Sequence, residues 1–265
     1  MLDSAFYNIG VHRLMRFCQT YEKVLVLLIL VLGFGLRFYA AASWNAYQPA
    51  SSARLVGDES QYDNLARSVW HGYGFDWPGR TPLYPLWLAA VYWLTDGSYI
   101  AIPYAQIALG LLTIWLSFHV AKTLFGVMVG LLAALLSACS YTLIHQSLHL
   151  LTEIMFAPAL LIVALTFWQA FQKPSLRRFM WLGFWIGISN LIRPTLMLFP
   201  FFILLILVIF HRQRMFRLWA VCFLTATLVI TPWIVHNYVR HNSFFILLAP
   251  SNAILWQGSP EYYHL

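Results

Sequence analysis

Charge is scarce in this sequence: only 9% of its 265 residues are Asp, Glu, Lys or Arg, against about 25% in a soluble globular domain. That scarcity, with 61% hydrophobic residues, excludes a water-soluble fold, and the apolar runs exceed what a soluble core needs. The Lys and Arg residues lie scattered between those runs instead of forming a patch, so the net charge of +7 does not point to nucleic acid. Cysteine is scarcer still. Cys18, Cys139 and Cys222 are odd in number and lack metal-ligand spacing, which excludes a disulfide framework. Internal repeats and low-complexity tracts are also missing.

What is present is hydrocarbon-facing sequence. A helix crosses the apolar core of a bilayer in about 20 residues, and segments 24–42, 100–120, 126–144, 150–171 and 219–238 suit such crossings. His12, Arg13, Arg16 and Lys23 before the first of these imitate a secretory signal ending at Ala40-Ala41-Ala42. The run is long enough to be an uncleaved span instead. Segment 180–210 is too long for one crossing and short for two. Lys173, Arg177 and Arg178 precede it and Arg212, Arg214 and Arg217 follow it, and short basic loops stay in the cytoplasm. An even number of crossings therefore separates them, and the segment reads as a hairpin with Arg193-Pro194 at its outer apex, where Pro lacks a backbone donor.

The expected fold is an all-α polytopic membrane protein of about seven spans, a single transmembrane domain over residues 1–265. Residues 1–23 are cytoplasmic, 43–99 form a long first outer loop, and 239–265 an outer C-terminal segment. In this arrangement Asp3 and Glu22 are cytoplasmic, while Asp58, Glu59, Asp63, Asp76, Asp96, Glu153 and Glu261 lie on or near the outer side. Within the first outer loop Tyr62, Leu65, Ala66, Val69 and Trp70 recur at helical spacing. They predict an amphipathic helix along the membrane surface. Segment 82–94 is nearly all apolar but short, and predicts a second interfacial or dipping helix.

Candidate chemistry gathers on the outer side. Gly57-Asp58-Glu59 puts two carboxylates at the start of the amphipathic helix, either as catalysts or as a simple cap. Glu153 follows His145 and His149 at four-residue intervals. An ionisable residue at membrane depth is a functional candidate by default, either as an acceptor-site group or, with the two histidines, as a metal ligand. Such a trio would share one face only if the helix begins before His145. Arg193 can clasp a phosphate bidentately or snorkel to the interface, and Arg37 reads mainly as a snorkelling residue. Arg80, His236, Arg240 and His241 are further outer cations for an anionic head group. The 17% aromatic content is chiefly interfacial belt and packing, with Trp44, Trp70 and Trp77 placed for substrate contact.

Gly57-Asp58-Glu59-Ser60-Gln61-Tyr62, Leu65-Ala66-Arg67 and Arg80-Thr81-Pro82-Leu83-Tyr84-Pro85 carry a resemblance, continued by Leu151-Thr152-Glu153, Leu191-Ile192-Arg193-Pro194 and Thr231-Pro232-Trp233-Ile234-Val235-His236-Asn237-Tyr238. In this order they resemble the GT-C class of membrane glycosyltransferases, specifically the protein O-mannosyltransferase group and its bacterial relatives such as the lipid A aminoarabinose transferase. The resemblance implies transfer of a sugar from a polyprenyl-phosphate donor to a lipid, glycan or protein acceptor at the outer face of a bacterial inner membrane. It also implies Asp58 as catalytic base with Glu59 beside it. Arg193, Arg80, Arg240 and His236 are then the donor-phosphate residues, and Tyr62 and Tyr84 the substrate contacts. A divalent cation is possible but not required by the sequence.

The resemblance departs at two points. Relatives usually continue beyond the last landmark, so the chain reads as either a compact member or a truncated portion, and His236 stands where the group often has Arg. A polyprenyl-lipid flippase and a non-catalytic scaffold subunit are the other function classes. Intramembrane charges at the outer boundary, without the internal repeats common in transporters, favour surface chemistry.

Overall fold

The computed structural model of the protein describes residues 15–75, 79–210, 215–241 and 247. Among the described residues regular structure is entirely helical. In chain order the helices are α1 (Glu22–Tyr47), α2 (Asp58–Trp70), α3 (Leu83–Thr95), α4 (Ala101–Phe125) and α5 (Val127–Cys139). These are followed by α6 (Tyr141–Gln146), α7 (Glu153–Gln172), α8 (Leu176–Ile192), α9 (Phe199–Ile209) and α10 (Phe216–His241). Four of them, α1, α4, α7 and α10, are long and apolar enough to cross a membrane, while α3, α5 and α9 are shorter apolar helices. Leu27, Leu28, Val31 and Phe34 of α1, like Leu224 and Leu228 of α10, stay exposed. Apolar surface on this scale is a lipid-facing surface, and the chain is a multi-pass membrane protein. Threonines 113, 166, 225, 227 and 231 each return their hydroxyl to the carbonyl four residues earlier. The apolar medium offers such hydroxyls no water, so the helix itself satisfies them.

The chain divides into two compact units, residues 1–61 with 91–169 and residues 62–90 with 170–265. In the first unit α1, α4 and α5 pack together around Ile114, Phe118, Leu131, Ala134 and Ala138. Arg37 belongs to this packing: its side chain is 0% exposed. Its guanidinium donates to the carbonyls of Gly33 (3.2 Å), Ala138 (3.1 Å) and Ser137 (3.2 Å). The last two end α5, where carbonyls lack intrahelical partners, so the cation also meets the negative end of a helix dipole. The snorkelling expected of Arg37 is therefore corrected. Gly110 makes the room, since a Cβ there would lie 2.6 Å from the Arg37 Nε.

The continuous helix expected over 126–144 is interrupted. It breaks at Ser140, whose backbone is extended (φ −64°, ψ 116°) and whose hydroxyl accepts from the Leu143 N–H to start α6. A thirteen-residue α5 rises only about 20 Å.

In the second unit α8 lies against α10. Gly183 and Gly187 form a G-x-x-x-G pair, and a Cβ at Gly183 would overlap the backbone of Cys222 while one at Gly187 would press on Val229 and Ala226. Small residues at this spacing let two helix backbones approach in lipid. The expected interruption at Arg193-Pro194 is present: Arg193 is extended (φ −155°, ψ 129°), and a short 3-10 turn, Pro194–Leu196, follows before α9. The predicted amphipathic helix is α2, but its stripe packs on protein instead of lying along a lipid surface. Leu65 joins Phe75, Leu191, Ile230, Trp233 and Leu247 in one apolar cluster, with Val69 against it.

Gly183→Ala forces the α8 and α10 backbones apart, whereas Gly35, which has open space around its Cβ position, is free to change. In detergent-solubilised protein the first variant lowers the thermal midpoint, and Gly35→Ala leaves it unchanged or raises it by up to the equivalent of about 1 kcal/mol.

Candidate active site

Gly57 turns the chain into α2 with φ +60°, a conformation that costs glycine little. Asp58, the first residue of the helix, is exposed, so its carboxylate stands at the positive end of the helix dipole. Glu59 turns inward and is 4% exposed. Its Oε2 accepts from the Val56 N–H at 2.7 Å and its Oε1 accepts from the Leu150 N–H at 2.9 Å. Oε1 also lies 3.0 Å from the His149 Nδ1. Burial alone pushes the Glu59 carboxyl up, but the His149 hydrogen bond and the two backbone donors outweigh it and hold the group below the ordinary carboxylate range. The adjacent acids thus occupy opposite environments: Asp58 faces outward, and Glu59 is occupied with internal donors.

His145, His149 and Glu153 do not share a helical face. α6 ends at Gln146 and Glu153 opens α7, so the trio weighed as metal ligands is corrected, and no three His, Cys, Asp or Glu side chains gather as a metal cluster among the described residues. His149 faces Glu59 on one side and, through its Nε2, the His145 Nε2 at 3.3 Å on the other. Glu153 is half-buried at the start of α7, with the Thr152 hydroxyl donating to its Oε2 at 3.3 Å.

In the second unit three anticipated residues come together. The Arg80 guanidinium lies 4.9 Å from the centre of the Tyr62 ring and donates to its hydroxyl at 3.4 Å, while Tyr62 meets Tyr84 edge to face at 5.3 Å. Thr81, part of the same sequence landmark but given no role of its own there, donates its hydroxyl to the Ile192 carbonyl at 2.6 Å and is 3% exposed. One hydrogen bond therefore joins the residues that follow Arg80 and precede Arg193. Arg193 is exposed beside it. Asp63 is 2% exposed and pairs with Arg67 at 3.0 Å. His236 stacks on Trp233 at 5.0 Å and 11°, and its buried Nε2 has no partner among the described residues. Arg240 is exposed near the end of α10.

Arg54 was also missed, because no motif or periodicity marks it. It is 5% exposed, donates to the Asn45 side-chain Oδ1 at 2.8 Å, and has an Nη1 without a partner among the described residues. Burial lowers its affinity for the proton, and the nearby Glu59 charge offsets part of that. Asp3, Asp76, Trp77, Arg212, Arg214, Glu261 and the side chain of His241 lie outside the described residues.

The lowered pKa of Glu59 has a pH consequence. A carboxyl held below its unfolded value stabilises the fold above that value and loses the contribution as pH falls through the folded one. Glu59→Gln accordingly costs about 1–3 kcal/mol at neutral pH. The gap in thermal midpoint between it and the parent protein closes only as the pH drops below the ordinary carboxylate range.

No curated protein and no solved structure matches the chain. A family model does match, over residues 79–238. That stretch holds Arg80, Tyr84, His145, His149, Glu153, Arg193 and His236, while Asp58, Glu59 and Tyr62 precede it and Arg240 follows. The match covers more than half of the sequence, and the chain belongs to the dolichyl-phosphate-mannose-protein mannosyltransferase family.

Proposed function

We propose that this membrane glycosyltransferase moves a sugar from a polyprenyl-phosphate carrier to an acceptor hydroxyl at the non-cytoplasmic face of a bacterial inner membrane. The observation that carries the reading is the division of labour at the head of α2, where Asp58 is exposed while Glu59 is anchored beneath it by backbone donors. A general base must reach the proton it takes, and Asp58 is the carboxylate of the pair turned outward to do so.

In the proposed step the acceptor oxygen attacks the anomeric carbon as its proton passes to Asp58. The bond from that carbon to the phosphate oxygen breaks, its electron pair leaves with the polyprenyl phosphate, and the anomeric configuration inverts. The phosphate leaves as a stable anion, so no general acid is obligatory, in contrast to glycoside hydrolysis. It needs positive charge. Arg80 and Arg193, joined through the Thr81 hydrogen bond, are the proposed source, with Arg240 and His236 as further donors. Tyr62 and Tyr84, adjoining Arg80, are proposed to contact the substrate.

A cavity of about 360 Å³ in the second unit, lined by Ile186, Asn190, Phe201, Phe223, Ile230 and Ile234, suits a segment of the isoprenoid tail, whose burial yields roughly 25 cal/mol per Å². The outer placement follows from the basic loops at Lys173–Arg178 and after α9, which the positive-inside rule keeps in the cytoplasm.

Purified protein supplied with a polyprenyl-phosphate sugar and an acceptor tests the reading. Asp58→Asn lowers turnover by about 10²–10⁴-fold with an unchanged thermal midpoint; near-normal turnover in a folded variant removes Asp58 from the mechanism. Arg193→Gln raises the KM for the donor more than it lowers kcat if the guanidinium binds the phosphate in the ground state, and an unaltered donor KM assigns that contact elsewhere.

A further inference from the structure

His145 and His149 have no part in the transfer step, yet their rings are arranged with more constraint than packing requires. Glu59, when ionised, is an acceptor only, and it already takes the N–H groups of Val56 and Leu150. The hydrogen in its 3.0 Å contact with His149 therefore sits on Nδ1. In a neutral imidazole this leaves Nε2 as the lone-pair nitrogen. Trp44 closes one edge of the His149 ring at 4.9 Å, and Gln106 fixes the backbone beneath it by donating to the carbonyls of Ser147 and His149, each at 3.0 Å. The nitrogen so positioned lies 3.3 Å from a second one, the Nε2 of His145.

Two imidazole nitrogens on one tetrahedral zinc ion, each at about 2.0–2.1 Å, stand about 3.3–3.4 Å apart. α6 ends at Gln146, so the turn after it, and not a helix face, brings the two rings together, and the carboxylate behind His149 is the usual outer partner of a metal-bound histidine. We propose that His145 and His149 form a site for a divalent transition-metal ion such as Zn²⁺, bound through both Nε2 atoms and oriented by Glu59. His145 is exposed, so the ion enters from solvent, and its remaining coordination positions are filled by water or an oxygen ligand. Imidazole donors select zinc, nickel or copper over magnesium. Glu59 is an orienting group here and not a ligand, because its oxygens are taken by N–H donors. The proposal is independent of the transferase reading, since neither histidine is assigned a step in it.

The full chain, purified without a polyhistidine tag, is titrated with Co²⁺ followed by absorption and then with competing Zn²⁺. One equivalent binds to the parent protein, Zn²⁺ displaces it, and Mg²⁺ does not. His145→Ala, a change at an exposed position, abolishes the Co²⁺ band and the rise in thermal midpoint that Zn²⁺ produces. Glu59→Gln weakens Zn²⁺ binding about 10–100-fold, and His119→Ala leaves it unaltered. Absence of stoichiometric binding, or binding that survives His145→Ala, overturns the proposal and identifies the pair as an N–H···N hydrogen bond between two rings.

Discussion

The buried carboxylate of Glu59 organises the segments around the candidate base. An ionised carboxyl with 4% exposure is costly unless its lone pairs are occupied, and the protein occupies them with two backbone N–H groups and an imidazole drawn from both sides of the sequence. The turn before α2 and the segment between α6 and α7 are thereby tied to one side chain. Those backbone donors belong to irregular segments, where no helix would satisfy them, so the carboxylate and the loops each remove the other's penalty. Asp58, one residue earlier, inherits a fixed position without being buried itself.

In the second unit the constraint is steric. Gly183 and Gly187 remove the side chains that would hold α8 away from α10. At the end of α8 the chain is broken by Pro194, and the freed Ile192 carbonyl is taken by Thr81. The two basic residues proposed for the donor phosphate thus depend on a hydroxyl that carries no charge, at a helix end created by a proline. Asn190 lies a short distance back along α8, buried and bonded by its amide to the Ile186 carbonyl; it and Thr227 are the polar residues of the cavity wall, and its Oδ1 has no partner among the described residues.

Local signals in the sequence read well. Periodicity located α2, and proline located the interruption after Ile192, because both act within a few residues of where they stand. The orientation of the α2 stripe was not legible, since the same alternation serves a lipid surface or a protein core and only Phe75, Leu191 and Trp233 decide between them. The break at Ser140 was hidden because serine is no strong helix breaker. Glu59 and Asp58 look equivalent as neighbours, and what separates them is Leu150 and His149, some ninety residues on. Arg80 and Tyr62 were both singled out, but their contact across eighteen positions has no sequence signature.

Arg37 shows the same nonlocality in a temporal form. Two of the three carbonyls that receive its guanidinium belong to residues 100 and 101 positions later in the chain. At about 5–20 residues per second, the ribosome delivers those acceptors roughly 5–20 s after Arg37 itself has been made. During that interval the cation on α1 has only the Gly33 carbonyl of its own helix, and a flexible side chain of this kind can reach for the nearest water or lipid phosphate. The arrival of α5 then draws the charge inward and closes the three-helix packing over it. The first unit is therefore completed in an order imposed by translation: the cation on α1 lacks two of its acceptors until α5 is in place.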